Sequence, residues 1–334
     1  MRQLEYVRAS APVEAVAAVS ADPEARFLAG GTNLVDHLKL GIATPSTLVD
    51  VSHLPLDRIE EIEGGGLRIE ANVRNSDFAA DRRVRSGWPV VSRALLAGAS
   101  GQIRNQATTG GNLLQRTRCV YFQDLTTPCN KREPGSGCSA REGYARYNAI
   151  LGASSDCVTV HPSDLAVALA AVDASLVTLR SDGERRVPAD ELHRLPGDQP
   201  ERDTVLDHGE LITAVELSAS PVYRRSTYVK VRDRASFAFA LVSVAAGLDV
   251  DDSGVVRDVR IAWGGVAHKP WRAHRAEEAL RGVRLTEEAV RAAAEVELEA
   301  AETTEETAYK ATMVRNATAL AFRRLAPELG EEES

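Results

Sequence analysis

The stretch Phe27-Leu28-Ala29-Gly30-Gly31-Thr32-Asn33-Leu34 joins a short apolar segment to a helical pattern through two consecutive glycines. Apolar residues at Leu34, Leu38 and Leu40 predict a helix after the turn, and Arg26 to Leu28 predict a strand before it. A turn between a strand and a helix directs backbone N–H groups and a helix N-terminus at an anion, which suits a phosphate. Many such turns carry two glycines for local reasons, so this stretch alone does not establish a phosphate site.

A second turn, Ala107-Thr108-Thr109-Gly110-Gly111-Asn112, has the same chemistry of small hydroxyl groups, two glycines and an asparagine. Two such turns can hold the two halves of a pyrophosphate. The fingerprint G-x-G-x-x-G is absent, which disfavours an ordinary Rossmann dinucleotide-binding fold. A third motif, Pro162-Ser163-Asp164-Leu165, has the residues of a helix N-terminus and is followed by an apolar helical run.

The pattern of elements changes near residue 220. The first part reads as α/β, whereas three predicted strands follow at 228–231, 240–250 and 255–262. Beyond Trp271 the chain is rich in Ala and Glu and is predicted to be helical. Strands followed by helices indicate a small α+β domain. The acidic end Glu331-Glu332-Glu333 is predicted to be disordered.

All four cysteines, Cys119, Cys129, Cys138 and Cys157, lie between the second turn and the third motif. Four is the number of thiolate ligands that one tetrahedral sulfur site requires, whether it holds an iron–sulfur cluster or a zinc ion. The spacings Cys-x9-Cys, Cys-x8-Cys and Cys-x18-Cys lack the C-x2-C knuckle usual in structural zinc sites, which favours a cluster. Basic residues of the loop would offset the charge of such a cluster: Lys131, Arg132, Arg141 and Arg146. Zinc and free or disulfide-linked thiols remain alternatives.

Composition limits the function classes. The chain has 334 residues, 44% of them hydrophobic and 26% charged, as in a globular protein of about two domains. A net charge of −8 and only 5% aromatic residues give no support to nucleic-acid binding. No apolar run has the length of a membrane span, and the N-terminus lacks the pattern of a secretory signal. A cytoplasmic location is expected, with export to the periplasm as a folded complex on a partner's signal as the alternative.

The three motifs, together with Tyr228-Val229-Lys230-Val231, resemble the FAD-binding subunit of the xanthine dehydrogenase family of molybdenum hydroxylases. The resemblance runs over nearly the whole chain. It implies an α+β protein with a two-lobed, vanillyl-alcohol-oxidase-like (PCMH-type) FAD-binding domain at residues 1–220. A domain like the C-terminal part of carbon monoxide dehydrogenase flavoproteins, with a three-stranded antiparallel sheet plus helices, would follow at 221–330.

The resemblance also implies the residues that bind FAD. They come from the two turns, the third motif and one strand: Leu28, Ala29, Gly30, Gly31, Thr32, Asn33, Leu34, Thr108, Gly110, Gly111, Asn112, Ser163, Asp164 and Lys230. The turns would hold the pyrophosphate, Asp164 would bind toward the ribose and adenine, and Lys230 would lie near the flavin. Lys230 could instead simply pair with a carboxylate. His161 could be a flavin contact or a loop histidine.

About fifty residues separate Asn112 from Ser163, where most of the family has a handful. This departure resembles the subgroup represented by periplasmic aldehyde oxidoreductase, whose flavin subunit carries an extra [4Fe–4S] cluster. The resemblance therefore implies an iron–sulfur insertion at about 115–160 in which Cys119, Cys129, Cys138 and Cys157 are the cluster ligands.

The function implied is electron transfer in a heterotrimeric oxidoreductase of the aldehyde or xanthine dehydrogenase type. Electrons would come from a large subunit with a molybdenum cofactor and a small [2Fe–2S] subunit, and would leave through FAD to an external electron acceptor. No catalytic acid or base is expected in this chain. The alternatives are a stand-alone FAD-dependent oxidoreductase of the same fold, for which no His/Tyr/Arg constellation is evident, and a zinc-stapled scaffold protein.

Overall fold

The computed structural model describes residues 3–327. The first lobe is a three-stranded parallel sheet in the order β1-β3-β2, flanked by two helices. Its elements are β1 (Glu5–Arg8), α1 (Pro12–Ala21), β2 (Arg26–Leu28), α2 (Leu34–Leu40) and β3 (Thr47–Asp50). The central strand β3 is buried through Leu48 and Val49, and α1 packs Val16 and Val19 into the same core. The predicted strand, glycine turn and helix at 26–40 are present.

The second lobe is a five-stranded antiparallel sheet in the order β4-β5-β8-β6-β7. Its strands are β4 (Ile59–Ile62), β5 (Gly66–Glu70), β6 (Ser175–Arg180), β7 (Gly183–Pro188) and β8 (Leu211–Leu217). The helices of this part of the chain are α3 (Asn75–Ala80), α4 (Arg82–Gly87), α5 (Pro89–Ala97), α6 (Gly101–Gln106), α7 (Thr109–Leu113), α8 (Val120–Gln123), α9 (Asp164–Ala171), α10 (Ala189–Leu192) and α11 (Pro221–Arg224). All eight residues of α9 are buried, which explains its almost uniformly apolar sequence.

The C-terminal domain packs helices on a sheet of four antiparallel strands in the order β12-β11-β10-β9. Its elements are β9 (Ser226–Val231), β10 (Val242–Val250), β11 (Val256–Gly264), β12 (Trp271–Arg272), α12 (His274–Leu280), α13 (Glu287–Leu298) and α14 (Tyr309–Leu325). The sequence predicted three strands. The fourth, β12, has two residues, which is too short to show an alternating pattern. Residues 328–330 of the predicted domain and the acidic end at 331–333 lie outside the described residues.

The insertion between α7 and α9 has little regular structure and is anchored to the C-terminal domain. Ile150 and Leu151 are buried in that domain's core, and both of their N–H groups donate to the carbonyl of Val266, at 2.9 and 3.0 Å. The buried ammonium of Lys310 donates to the carbonyls of Tyr147, Asn148 and Gly265 at 2.7–3.2 Å. Burial lowers the pKa of Lys310 to about 7. The insertion is therefore fixed at its C-terminal end by packing and hydrogen bonds.

Within residues 3–327, no helix combines the length and the hydropathy required to cross a membrane.

Candidate functional site

A cavity of about 600 Å³ lies where the two lobes, the insertion and the loop between β9 and β10 meet. Seven of the predicted FAD-binding residues line it: Thr32, Asn33, Gly111, Asn112, Ser163, Asp164 and Lys230. The other seven do not line it and belong to the segments that carry the lining residues: Leu28, Ala29, Gly30, Gly31, Leu34, Thr108 and Gly110. The structure thus brings all three motifs and the β9 lysine to one cavity.

The two glycines of the first turn are required for different reasons. Gly31 has φ +73°, a left-handed conformation that favours glycine. A Cβ on Gly30 would lie 2.3 Å from the carbonyl oxygen of Gln106, so a side chain there would push the two turns apart. The side chain of Gln106 also donates to the carbonyl of Gly30 at 3.1 Å. Gly30 is therefore needed for packing of the first turn against the end of α6.

The second turn is itself helical, since Gly110, Gly111 and Asn112 lie within α7. Thr108 caps this helix by accepting a hydrogen bond from the N–H of Gly111 at 3.2 Å. The hydroxyl of Ser163 donates to the side-chain oxygen of Asn112 at 2.6 Å and accepts from the N–H of Ala166 at 3.0 Å. Two motifs that the insertion separates in sequence therefore share a hydrogen bond at the cavity wall.

Lys230 and Asp164 form a buried ion pair in this wall. Lys230 Nζ lies 2.7 Å from Asp164 Oδ2, and the two side chains are only 4% and 9% exposed. The hydroxyl of Tyr228 donates to the other carboxylate oxygen at 2.6 Å. Burial, together with the charge of Asp164, raises the pKa of Tyr228 well above its usual value. Lys230 thus pairs with a carboxylate, and the pair presents a fixed charge pattern to whatever fills the cavity.

Replacing Asp164 with asparagine should lower the free energy of unfolding by about 3–5 kcal/mol, because Lys230 would keep a buried charge without its partner. Urea denaturation at equal flavin saturation measures the change. Asp182→Asn is the matched control, since its pair with Arg180 is exposed and should contribute less than about 1 kcal/mol. A similar loss in both variants would contradict the assignment of an energetically important buried pair.

Three lining residues carry buried polar atoms that lack a hydrogen-bond partner within the described part of the chain: Asn75 Oδ1, Arg118 Nε and His161 Nε2. Buried polar groups are normally paired, so these atoms indicate a polar occupant of the cavity. Burial holds the pKa of His161 well below its usual value, which keeps its ring neutral. Sequence reasoning left His161 open and missed Asn75 and Arg118, because neither belongs to a glycine turn.

A second, smaller pocket is lined by all four cysteines. Each is a free thiol. Cys129 and Cys138 face each other across an antiparallel bridge, and Gly137 between them has φ +99°. Burial raises the pKa of Cys119, and it raises that of Cys157 to about 11. Among residues 3–327, no three His, Cys, Asp or Glu side chains are grouped so as to hold a single metal ion.

Of the four basic residues predicted to offset a cluster's charge, only Lys131 lines this pocket. It is buried and forms an ion pair with Asp203, while its ammonium donates to the carbonyl of Pro200 at 2.6 Å. Burial would raise the pKa of Asp203, but Arg116 and Lys131 outweigh this effect and hold the pKa at about 2.

The other three arginines are held by different partners. Arg132 donates to three backbone carbonyls, those of Tyr121, Phe122 and Thr127. Arg141 donates to the carbonyl of Ser154, and Arg146 pairs with Asp233. These three side chains hold the loop together, and of the four predicted residues Lys131 alone lines the cysteine pocket.

The cysteine pocket and the large cavity share a wall. Thr117, Cys119, Tyr121 and Thr159 line both. The hydroxyls of Thr117 and Thr159 contact each other, and the N–H of Cys119 donates to Thr117 Oγ1 at 3.1 Å. A centre bound by the thiols would therefore be separated from an occupant of the cavity by a single layer of side chains.

Two family comparisons divide the chain in the same way as its architecture. Residues 2–219 match the family described as the FAD binding domain in molybdopterin dehydrogenase. Residues 226–325 match the family described as the CO dehydrogenase flavoprotein C-terminal domain. The predicted fold class, a two-lobed FAD-binding domain followed by an α+β domain of this type, is confirmed.

Individual relatives agree with the family matches. The chain is 53% identical over 281 residues to the aldehyde oxidoreductase FAD-binding subunit PaoB of Escherichia coli (strain K12), covering 84% of this chain and 86% of that protein. It is 26% identical to the carbon monoxide dehydrogenase medium chain of Hydrogenophaga pseudoflava, covering 97% and 99%. A solved structure of that organism's carbon monoxide dehydrogenase, in a form lacking the Mo-pyranopterin moiety of its cofactor, matches with a TM-score of 0.75 at 25% identity over 97% of each chain. The chain therefore belongs to the FAD-binding subunits of the molybdenum hydroxylase family of oxidoreductases.

Proposed function

We propose that this chain is the FAD and [4Fe–4S] electron-transfer subunit of a heteromeric molybdenum-containing aldehyde oxidoreductase. In this proposal electrons come from a partner's molybdenum and [2Fe–2S] centres and leave for an external acceptor. The observation that carries the proposal is the shared wall between the cysteine pocket and the large cavity. Two redox centres on either side of a single layer of side chains are positioned to exchange electrons.

The cavity has the features that an FAD site requires. Thr32 and Asn33 of the first turn and Gly111 and Asn112 of the second turn line it, and we place the dinucleotide pyrophosphate beside them. Asn75, Arg118 and His161 offer buried polar atoms without partners among residues 3–327. Thr32, Asn33, Gly111, Asn112 and Ser163 would hold the diphosphate end, and Asp164 and Lys230 would lie along the rest of the molecule.

The cysteine pocket suits a cluster better than a zinc ion. A zinc ion draws four sulfurs to about 2.3 Å from one centre. The thiols here are free and line one pocket, and none of their spacings in the sequence is the C-x2-C knuckle usual in structural zinc sites. In a [4Fe–4S] cluster each thiolate binds a different iron, so its ligands stand further apart. The buried Lys131 would offset part of the negative charge that such a cluster brings.

The residues of this chain bind and orient, and they do not perform acid–base chemistry on an organic substrate. FAD, when bound, supplies the redox chemistry that links two-electron and one-electron carriers. The buried pair of Lys230 and Asp164 fixes the electrostatic environment of the cavity. Phe237 and Phe239 of the β9–β10 loop, with Tyr144 and Tyr147 of the insertion, line the cavity with aromatic side chains.

Aldehyde is proposed as the substrate class because a 53% identical relative is an aldehyde oxidoreductase subunit. The visible spectrum of the purified chain, combined with iron and sulfide analysis, tests the cofactor assignment. Flavin bands with a broad shoulder that dithionite bleaches are expected. A flavin spectrum without iron would reject the cluster, and a protein that contains zinc without flavin would favour a scaffold.

Replacing Gly111 with leucine should lower FAD content at least about tenfold, a loss of about 1.4 kcal/mol of binding free energy. The new Cβ would lie 2.8 Å from Thr108 Oγ1 and would project from a residue that lines the cavity. Flavin absorbance per protein after gel filtration gives the measurement. Gly101→Leu is the control, because nothing lies within 4 Å of a Cβ there. Full FAD content in Gly111→Leu would contradict the placement of the pyrophosphate.

A further inference from the structure

Arg118 differs from the other cations that line the cavity in how its charge is compensated. Lys230 is paired with Asp164. Arg104 donates to the carbonyl of Gly98 at 2.7 Å, and Arg234 donates to the carbonyl of Phe237. For Arg118, no hydrogen bond or ion pair is formed with any residue in the described range 3–327, and its Nε is buried. Asp36 acts on it only from beyond ion-pair distance.

The side chain of Arg118 is nevertheless held in place. Its guanidinium carbon lies 5.0 Å from the centroid of the Phe239 ring, and both residues line the cavity. Stacking on an aromatic face leaves the edge of a guanidinium free to donate hydrogen bonds. A guanidinium whose Nε is buried without an acceptor carries a desolvation cost. An anion in the cavity would remove that cost.

The backbone around Arg118 runs between the two glycine turns. Gln115 donates through its side chain to the carbonyl of Asn112 at 2.9 Å, in the second turn. The N–H of Arg116 donates to the side-chain oxygen of Asn33 at 2.9 Å, in the first turn. Arg118 follows two residues later. The segment is therefore hydrogen-bonded to both turns, beside the proposed diphosphate end of the cavity.

We infer that Arg118 is a further FAD-binding residue of this subunit and that its guanidinium binds the diphosphate. The inference rests on the proposed FAD site and extends it to a residue of the insertion. Because Arg118 directly precedes Cys119, the same segment would contact both cofactors. Guanidinium groups bind phosphate oxygens through paired, charge-assisted hydrogen bonds, which suits a side chain with no other acceptor in the described structure.

The test compares Arg118→Gln with the parent after FAD has been removed with chaotropic salt. Titration of each apoprotein with FAD, ADP and riboflavin gives three dissociation constants. A diphosphate contact predicts a loss of roughly 10- to 100-fold for FAD and for ADP, and an unchanged value for riboflavin, which has no phosphate. Arg141→Gln is the control, because Arg141 belongs to the insertion, does not line the cavity and should leave all three constants unchanged.

Iron and sulfide content is measured in every variant. If Arg118→Gln also loses iron, the FAD affinity of Arg118→Lys distinguishes a binding role of Arg118 from a structural one. A binding role predicts an FAD affinity between those of the parent and the glutamine variant. An affinity of Arg118→Gln for FAD within twofold of the parent value would overturn the inference, and so would a loss confined to riboflavin. A parent apoprotein that binds neither FAD nor ADP would instead reject the proposed function, so the two failures are distinguishable.

Discussion

Replacing Cys157 with serine is expected to leave less than about one iron atom per chain, where the parent should hold about four iron and four sulfide. Cys157 is buried in the pocket that all four cysteines line, so its loss removes a ligand from the interior of the site. The free energy of binding a metal centre is also folding free energy at such sites. We therefore expect the loop between Cys129 and Cys138 to become sensitive to protease in the same variant.

Iron, acid-labile sulfide and zinc are measured on anaerobically purified protein. Ser139→Ala is the matched control, because Ser139 lines the same pocket and only donates to the carbonyl of Pro128 at 2.9 Å. The control should retain the iron content of the parent. One bound zinc per parent chain would establish the rival structural site. Four reactive thiols in a folded parent that contains FAD would exclude any metal centre.

The architecture could be predicted from the sequence because its signals are local. Glycine turns between apolar segments, a helix N-terminus at Ser163 and alternating strands after residue 220 each specify an element within a few residues. The missed strand β12 pairs Trp271 with Trp263 and Arg272 with Ala262. That pairing depends on the position of the neighbouring strand β11, so two residues alone carry no signal of it.

The candidate site could be predicted only in part, for a related reason. The predicted FAD-binding residues came from the two turns, the third motif and one strand, and the structure places seven of them on one cavity. The distinctive state of Arg118 depends on which acceptors lie near it in space, and no spacing in the sequence encodes that. Likewise, the sequence suggested four basic residues near the cysteines, whereas Arg132, Arg141 and Arg146 are held by backbone carbonyls or Asp233. Only the buried Lys131 lines the pocket.

The second prediction with a large expected effect concerns the source of the electrons that reduce this chain. The purified chain is expected to retain FAD but to show no aldehyde-dependent reduction of an artificial acceptor above background. The sequence has four cysteines, and all four line one pocket, so none remains for the [2Fe–2S] centres that would feed the flavin. In the proposed function, electrons therefore enter from another polypeptide.

Co-expression with a molybdenum-cofactor subunit and a [2Fe–2S] subunit should restore aldehyde-dependent turnover. Chemical reduction of the isolated chain by dithionite serves as the control, because it shows that the flavin is present and competent. The Cys157→Ser variant in the same co-expression then separates the roles of the two centres. If turnover falls in proportion to iron content, the cluster lies on the path of electron transfer. If turnover is unchanged, the role of the cluster is limited to holding the insertion in place. Aldehyde turnover by the purified chain alone would contradict electron transfer from a partner subunit. It would identify a stand-alone flavoenzyme, since no partner could then be the source of the electrons.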